Sequence, residues 1–423
     1  MRGAGWKPGP FQGVAPGMPH AASQRRDLRE GRPVWNPSPK LPPPDMLAES
    51  ESAHIVVIGG GISGALMTDA LLAAGHGVLA LDRQRFVAGS TMASTAMLQF
   101  EMDEPLSALT RKIGREAAIR AYWRSTQAMD RLRARIEDLD IRCGFQPRHS
   151  AYLPGRAMNM TALQKEAARR RAAGLRSRFV GREELRELTG LEEAGAIWST
   201  GSAEVDPVRL TAGLWRSAAA RGARLAWPVE VEEVRPRMRG VTLHCTGGRV
   251  IRAKHVVFCC GYAAPDFLKL ERNSVISTWA MATRPQPEAL WPDRCLIWRA
   301  EDPYLYVRAD ADGRVIAGGE DEPFVDDDRR EAATEAKIAR LVEKLRRLLP
   351  GIDPEPSHVW SGCFGVSTTG LPAIGAVPGL PRCYALLGFG GNGITFSTLG
   401  AEIIQRLIDG MPEPDAGLYA LRE

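Results

Sequence analysis

Gly59, Gly61, Gly64 and Asp82 are the residues of this chain whose types and spacing most clearly point to chemistry. The glycines directly follow the apolar run Ile55-Val56-Val57-Ile58 and directly precede the helix-like stretch Ala65 to Leu72. Gly59 permits a tight turn, Gly61 lets backbone approach a pyrophosphate, and Gly64 lets helix and strand pack closely. Free N–H groups of the first helical turn then face the phosphates. A second apolar run, Val78-Leu79-Ala80-Leu81, ends on Asp82. That acid lies roughly 20 residues on, where a carboxylate accepts hydrogen bonds from an adenosine ribose. Strand, glycine turn, helix, strand and acid together predict a bound dinucleotide. Nicotinamide and flavin dinucleotides both remain open at this point.

The elements that must position these residues follow a β-α pattern from His54 onward. Residues 1–51 differ: their prolines, among them Pro42-Pro43-Pro44, alternate with glycines and arginines. Such a segment buries little apolar surface against its chain entropy and is expected to be irregular, with Trp35 and Pro37 marking a piece that docks on the body. Beyond the small-residue loop Gly89 to Ala96, helical patterns run from about Leu106 to Asp140 and from Leu163 to Ala173. Asp206-Pro207 reads as an N-cap and first helical residue, opening a helix to Arg221. Short strands follow at Val229 to Val234, Gly240 to Cys245 and His255 to Cys260. Tyr304 to Arg308 and Arg314 to Ala317 flank an Ala311-Asp312-Gly313 turn and read as a hairpin. A helix from about Glu331 to Leu349 and a last one after Gly388-Phe389-Gly390-Gly391-Asn392-Gly393 complete the pattern.

At 423 residues the chain is long enough for two or three domains or subdomains. Its 44% hydrophobic and 25% charged residues are those of a water-soluble globular protein, and the net charge of +5 gives little basis for nucleic-acid binding. The seven cysteines lack metal-ligand spacing, and the dispersed histidines form no triad, so no metal site is expected. With no apolar run long enough to span a bilayer and no secretory h-region at the start, the expected location is the cytoplasm.

Three features favour FAD over NAD. The regular β-α alternation of a nicotinamide dehydrogenase is interrupted after Asp82 by a small-residue loop and long helices. A β run ending in Cys259-Cys260-Gly261-Tyr262 reads as the closing strand of a dinucleotide domain in a two-domain flavoprotein. The carboxyl end offers another glycine-rich helix entrance. With these motifs in place, residues 52 to 415 resemble the FAD-dependent superfamily of D-amino-acid oxidase, glycine oxidase and sarcosine oxidase. The likeness rests on VVIGGGISG, GSTMASTA, AEVDPVRL, HVVFCCGY, YLYVRADADGRVIAGGE, TGLPAIG and GFGGNGITFS.

The resemblance implies an α/β (mixed α+β) fold: a Rossmann-like FAD-binding domain from residues 52–105, 200–262 and 356–423, and a discontinuous antiparallel-sheet substrate domain from 106–199 and 263–355. It implies that Gly59, Gly61, Ser63, Gly64 and Asp82 hold the ADP half of FAD and that Ser90 and Thr91 pass the pyrophosphate and flavin. Val231 would offer backbone groups to adenine, with core packing as its alternative role. Gly261 would allow close backbone approach, and Gly390, Gly391, Asn392 and Gly393 would meet the flavin pyrimidine edge. Arg308 would bind a substrate carboxylate as a bidentate fork, with Tyr304 or Tyr306 lining the pocket. Gln99 and Glu101 are candidates to face it. Cys363 is out of register with the cysteine that carries the flavin in sarcosine-oxidase-like members, and no histidine lies near Ser90, so attachment is expected to be non-covalent. The implied activity is oxidation of a C–N bond in an amine or amino acid by hydride transfer to flavin N5, with oxygen or a quinone as electron acceptor. The alternatives are an NAD-dependent dehydrogenase, a flavoprotein with a binding or regulatory role, and an RNA-linked flavoprotein.

Overall fold

The strand Ser50–Ile58 organises one half of the molecule. In a computed structural model, which describes residues 29–268 and 273–421, it lies between Arg249–Phe258 and Val78–Leu81 and is parallel to both. The eight-stranded sheet continues to Arg224–Ala226 on one side and to Cys383–Leu387 and the antiparallel Ala373–Ala376 on the other. Successive side chains of a strand point to opposite faces. Ile55 and Val57 therefore join a core with the helices Ile62–Ala73, Pro207–Ala220 and Gly393–Ile408. Val56 and Ile58 join a second core under the strands Val231–Arg237 and Gly240–Cys245. Both faces are covered, which is why the run has no polar alternation.

Helix boundaries follow local chemistry. The Asp206 carboxylate accepts from the N–H groups of Val208 and Arg209, both at 2.9 Å, and Pro207 occupies the first helical position, as its sequence predicts. The helical stretch expected from 106 to 140 is two helices, Leu106–Ile113 and Arg115–Asp138, because Gly114 takes a φ of +89° between them. Leu106–Ile113 has no capping side chain of its own. Buried Glu166 caps it from a distance, accepting from the N–H groups of Leu106 (2.7 Å) and Ser107 (3.0 Å).

A ten-stranded, mostly antiparallel sheet forms the other half. Asn273–Thr283, Val315–Glu322 and Leu305–Ala309 lie side by side at its centre, the last two being the expected hairpin. Leu305 and Val307 face the helix Asp327–Leu348 and share its apolar core. Tyr304 and Tyr306, of opposite parity, face away from it. Strand pairing also places Gly195–Glu204 and Pro356–Ser367 in this sheet, so the segments 200–262 and 356–423 each begin with one of its strands. Their hydrogen bonds to Gln146–Leu153 and Asn273–Thr283 decide this, a long-range pairing that local pattern does not report.

Within the proline-rich extension, residues 1–28 lie outside the described residues. Arg29–Gly31 departs from the expected irregularity by adding an antiparallel strand against Trp360–Gly362. Trp35 is buried, and its indole N–H donates to Ser94 O at 2.8 Å. Among the described residues, no helix is long and apolar enough to cross a membrane.

Candidate functional site

A cavity of ≈ 1030 Å³ runs from the carboxyl end of the parallel sheet to the polar face of the antiparallel one. At the first end, each glycine of the fingerprint has a different steric reason to be glycine. Gly59 takes a φ of +124°, and a Cβ there would collide with Cys259 O of the neighbouring strand. A Cβ on Gly64 would collide with Gly59 O, so helix and turn touch directly. Gly61 borders the cavity, and the nearest atom to its missing Cβ is Thr91 Oγ1 at 3.2 Å. The Asp82 carboxylate is fixed by the Gly60 N–H (2.6 Å) and the Gln84 N–H (2.7 Å), and burial pushes its pKa up. One carboxylate thus braces the turn and faces the cavity.

The loop after the second strand closes over this turn. Thr91 Oγ1 accepts from the Ile62 N–H at 3.0 Å, spending one donor of the first helical turn within the protein. Ser90 lines the cavity, and its Oγ is buried with no protein partner. Ser63 lies on the same wall, its hydroxyl 2.8 Å from that of Ser397. Gly261 holds a φ of +58° at the end of the strand beside the turn, so conformation is what requires glycine there; nothing crowds its Cβ position.

Gly390, Gly391, Asn392 and Gly393 form the opposite rim at the entrance of the helix Gly393–Ile408. The Asp103 carboxylate sits at this entrance and accepts from the Gly391 N–H at 2.7 Å. Cβ atoms on Gly390 and Gly391 would lie 2.6 and 2.9 Å from its oxygens, so a side chain at either position would displace this carboxylate. Asn392 ties the rim to the same segment, its Nδ2 donating to Gln99 O (3.2 Å) and Glu101 O (2.8 Å). Asp103 is open to the cavity rather than packed inside the protein, and partial desolvation there, with Glu104 nearby, pushes its carboxyl up.

The far end is aromatic and acidic. Tyr152, Tyr262, Tyr304 and Tyr306 line it together with Thr278 and Asp321. Gly318 leaves the space that the Tyr306 phenol fills. Tyr304 and Tyr306 have ring centroids 6.2 Å apart, and Tyr152 stacks on Trp298 at 3.8 Å. Asp321 Oδ1 is buried without a hydrogen-bond partner, and burial pushes the carboxyl up to about 6. Cys363 is on the wall as well, its Sγ accepting from Arg330 Nη1 at 3.0 Å.

Three expected residues are elsewhere. Arg308 is 2% exposed and turned from the cavity: Nε donates to Thr95 O (2.7 Å), Nη2 to Val205 O (3.0 Å), and Nη1 lies 3.5 Å from Glu204 Oε2. The Trp35 ring covers its guanidinium at 5.3 Å. A guanidinium so enclosed and absent from the cavity wall is out of reach of a substrate carboxylate, which corrects the expectation. Val231 is also off the cavity wall; it is buried opposite Cys245 in a strand pair, in the packing role. Gln99 lines the cavity, but Glu101 is buried beside it, accepting from Ser150 Oγ at 2.8 Å and lying 3.5 Å from Arg170. Asp103, Asp321 and Tyr152 carried no sequence signal, because each comes from a different segment and no short motif contains two of them; Tyr262 ended the Cys259-Cys260-Gly261 run without being read as a wall residue.

Residues 54–407 match the model of the family described as FAD dependent oxidoreductase. Among curated proteins, the chain is 23% identical over 382 residues to the probable oxidoreductase OrdL of Rhizobium meliloti, covering 87% of this chain and 86% of that one. It is 26% identical over 420 residues to the tRNA 5-methylaminomethyl-2-thiouridine biosynthesis bifunctional protein MnmC of Cupriavidus necator. That match covers 90% of this chain but 61% of the relative, so the chain spans about three-fifths of the bifunctional protein. The crystal structure of glycine oxidase from Geobacillus kaustophilus superposes with a TM-score of 0.73 at 21% identity, over 88% of this chain and 99% of that one. The mixed α/β fold expected from the sequence is thus the fold of this group. The glycine cradle, the buried orphan hydroxyl of Ser90 and the volume of the cavity fit a bound dinucleotide such as FAD.

Proposed function

Since this chain belongs to the FAD-dependent oxidoreductase family, we propose that it oxidises the C–N bond of a small amine or amino acid. The carrying observation is that one cavity joins the glycine cradle to a chamber walled by tyrosines and carboxylates. FAD, when bound, supplies the hydride acceptor. Gly59, Gly61, Ser63, Gly64, Asp82, Ser90 and Thr91 hold the ADP and pyrophosphate part, and the Gly390 to Gly393 rim and Gly261 border the flavin, without a covalent bond. The tyrosine walls exclude water and orient the substrate so that its reacting C–H meets the ring. No strong base is required of the protein when the amine reacts in its neutral form. FAD as the family's cofactor displaces the nicotinamide alternative. The glycine-oxidase fold supports this reading.

Anaerobic titration of the purified holoprotein with amines and D- and L-amino acids tests it. Bleaching of the flavin band near ~450 nm by at least one C–N substrate is the expected result. Bleaching by hydroxy acids or alcohols alone would overturn the proposal. The likeness to the MnmC protein favours one further reading, an amine carried on RNA; it requires tRNA retention that falls steeply with salt.

A further inference from the structure

Resting on the C–N oxidation reading, we infer that the substrate is a cationic amine lacking an α-carboxylate, held by Asp321 and Asp103 within the tyrosine walls. Four observations converge on this chemistry. First, the charged lining of the cavity is seven Asp or Glu residues against Arg83 and Arg111. Arg83 follows Asp82 at the cradle end, and Arg111 is exposed on the helix Leu106–Ile113. Second, the one arginine on the strand face that carries Tyr304 and Tyr306 is Arg308, whose guanidinium is held inside the protein. A substrate carboxylate entering this chamber would lose its hydration and meet carboxylates.

Third, the acids of the chamber differ in how they are satisfied. Glu322 pairs with Lys337 at 2.7 Å, and Glu301 lies 3.5 Å from Lys344. Asp103 has only the Gly391 N–H, and Asp321 keeps a buried Oδ1 with no partner. A buried carboxylate oxygen left bare is costly unless a ligand satisfies it. An ammonium group does so with three donors, and by passing one proton to the Asp321 carboxylate it becomes the neutral amine that reacts. Fourth, the phenols of Tyr152, Tyr304 and Tyr306 line the same cavity as these carboxylates, and aromatic faces attract cations. Carboxylate and aromatic wall thus select the same charge.

The test uses FAD-saturated protein and two inert probes of similar size, benzyltrimethylammonium and benzoate, followed by calorimetry and by perturbation of the flavin absorption band. Benzyltrimethylammonium should bind roughly 10-fold or more tightly than benzoate. Asp321→Asn should lower the affinity of the cation about 10-fold and leave benzoate no weaker, while Asp321→Glu retains the preference. Tighter binding of benzoate, or unchanged cation affinity in both Asp321→Asn and Asp103→Asn, would overturn the inference. Matched turnover pairs separate it from the reading beneath it. Phenethylamine should reduce the flavin faster than either enantiomer of phenylalanine. The reverse order would overturn the cationic-amine inference and leave C–N oxidation standing. Reduction by neither class would overturn C–N oxidation, with the probe affinities still deciding the charge preference.

Discussion

Replacing Asp321 by asparagine exchanges one carboxylate oxygen for an amide nitrogen and removes a buried charge at nearly constant shape. Burial is the largest influence on this group, ahead of its hydrogen bond to Thr278, repulsion from Asp103 and attraction to Lys337, and it moves the pKa from 3.8 to about 6. At about 1.4 kcal/mol for each tenfold change in proton affinity, the ionised side chain costs the folded state about 3 kcal/mol at most. The sign follows from proton uptake. Between the unfolded value and about 6 the folded protein binds more protons than the unfolded chain, so wild-type stability falls as pH rises through this window. Above it the whole cost is present; near pH ~4 it is absent. Asp321→Asn should therefore exceed wild type by up to about 3 kcal/mol at pH ~8, with the difference closing toward pH ~4. Urea unfolding of the FAD-saturated proteins across this range measures it, with Tm as a parallel readout. A variant advantage that does not change with pH, or a variant less stable than wild type at pH ~8, would refute the reasoning. Gained stability accompanied by lost cation affinity is the trade expected of a functional group held against its own desolvation.

The remaining expectations address the cradle, the misplaced arginine and the acid chamber. Gly64→Ala should abolish soluble expression or destabilise the protein by several kcal/mol, because its Cβ meets the Gly59 carbonyl, whereas Gly61→Ala should fold and lose FAD affinity, measured by fluorescence on dilution. Arg308→Met should destabilise the protein by about 3–5 kcal/mol by leaving Glu204 and two carbonyls short of partners, while KM in the folded fraction stays near wild type. A large rise in KM without loss of stability would restore Arg308 to the substrate. Binding of benzyltrimethylammonium, whose charge does not titrate, should weaken as pH falls through about 6 and become flat with pH in Asp321→Asn.

What was legible in the sequence was what short-range geometry enforces. The turn from Ile58 to Ile62 is dictated by glycines within a few residues of one another, and Asp82 is placed by the strand that carries it, so cradle and fingerprint could be read together. Asp206-Pro207 announced its helix because a cap and the residues it caps are neighbours. The substrate chamber had no such signature. Tyr152, Thr278, Tyr304 and Asp321 meet because four strands of one sheet take a particular register, and Asp103 joins them by a hydrogen bond to a glycine far along the chain. Nothing in any one of these segments marks it as part of a site. The rim glycines were read as meeting the flavin edge, and nothing in them pointed to Asp103.

Arg308 shows how a role implied by resemblance can fail even where the local strand pattern holds. Alternation along Leu305–Ala309 does put it on the same face as Tyr304 and Tyr306. A strand face, however, need not meet one environment along its length. Near Tyr304 and Tyr306 it borders the cavity, where Gly318 makes room for a phenol. Two residues on, the carbonyls of Thr95 and Val205 and the Trp35 ring close over it, and a guanidinium with several fixed donors suits that polar, enclosed corner. The same residue type that would clamp a substrate carboxylate here ties the loop after the second parallel strand and the proline-rich extension to the antiparallel sheet. With that arginine withdrawn, the charge of the chamber is set by Asp103 and Asp321. The cationic-amine proposal thus ties substrate preference to the long-range packing of the extension over Arg308 as well as to the residues on the cavity wall.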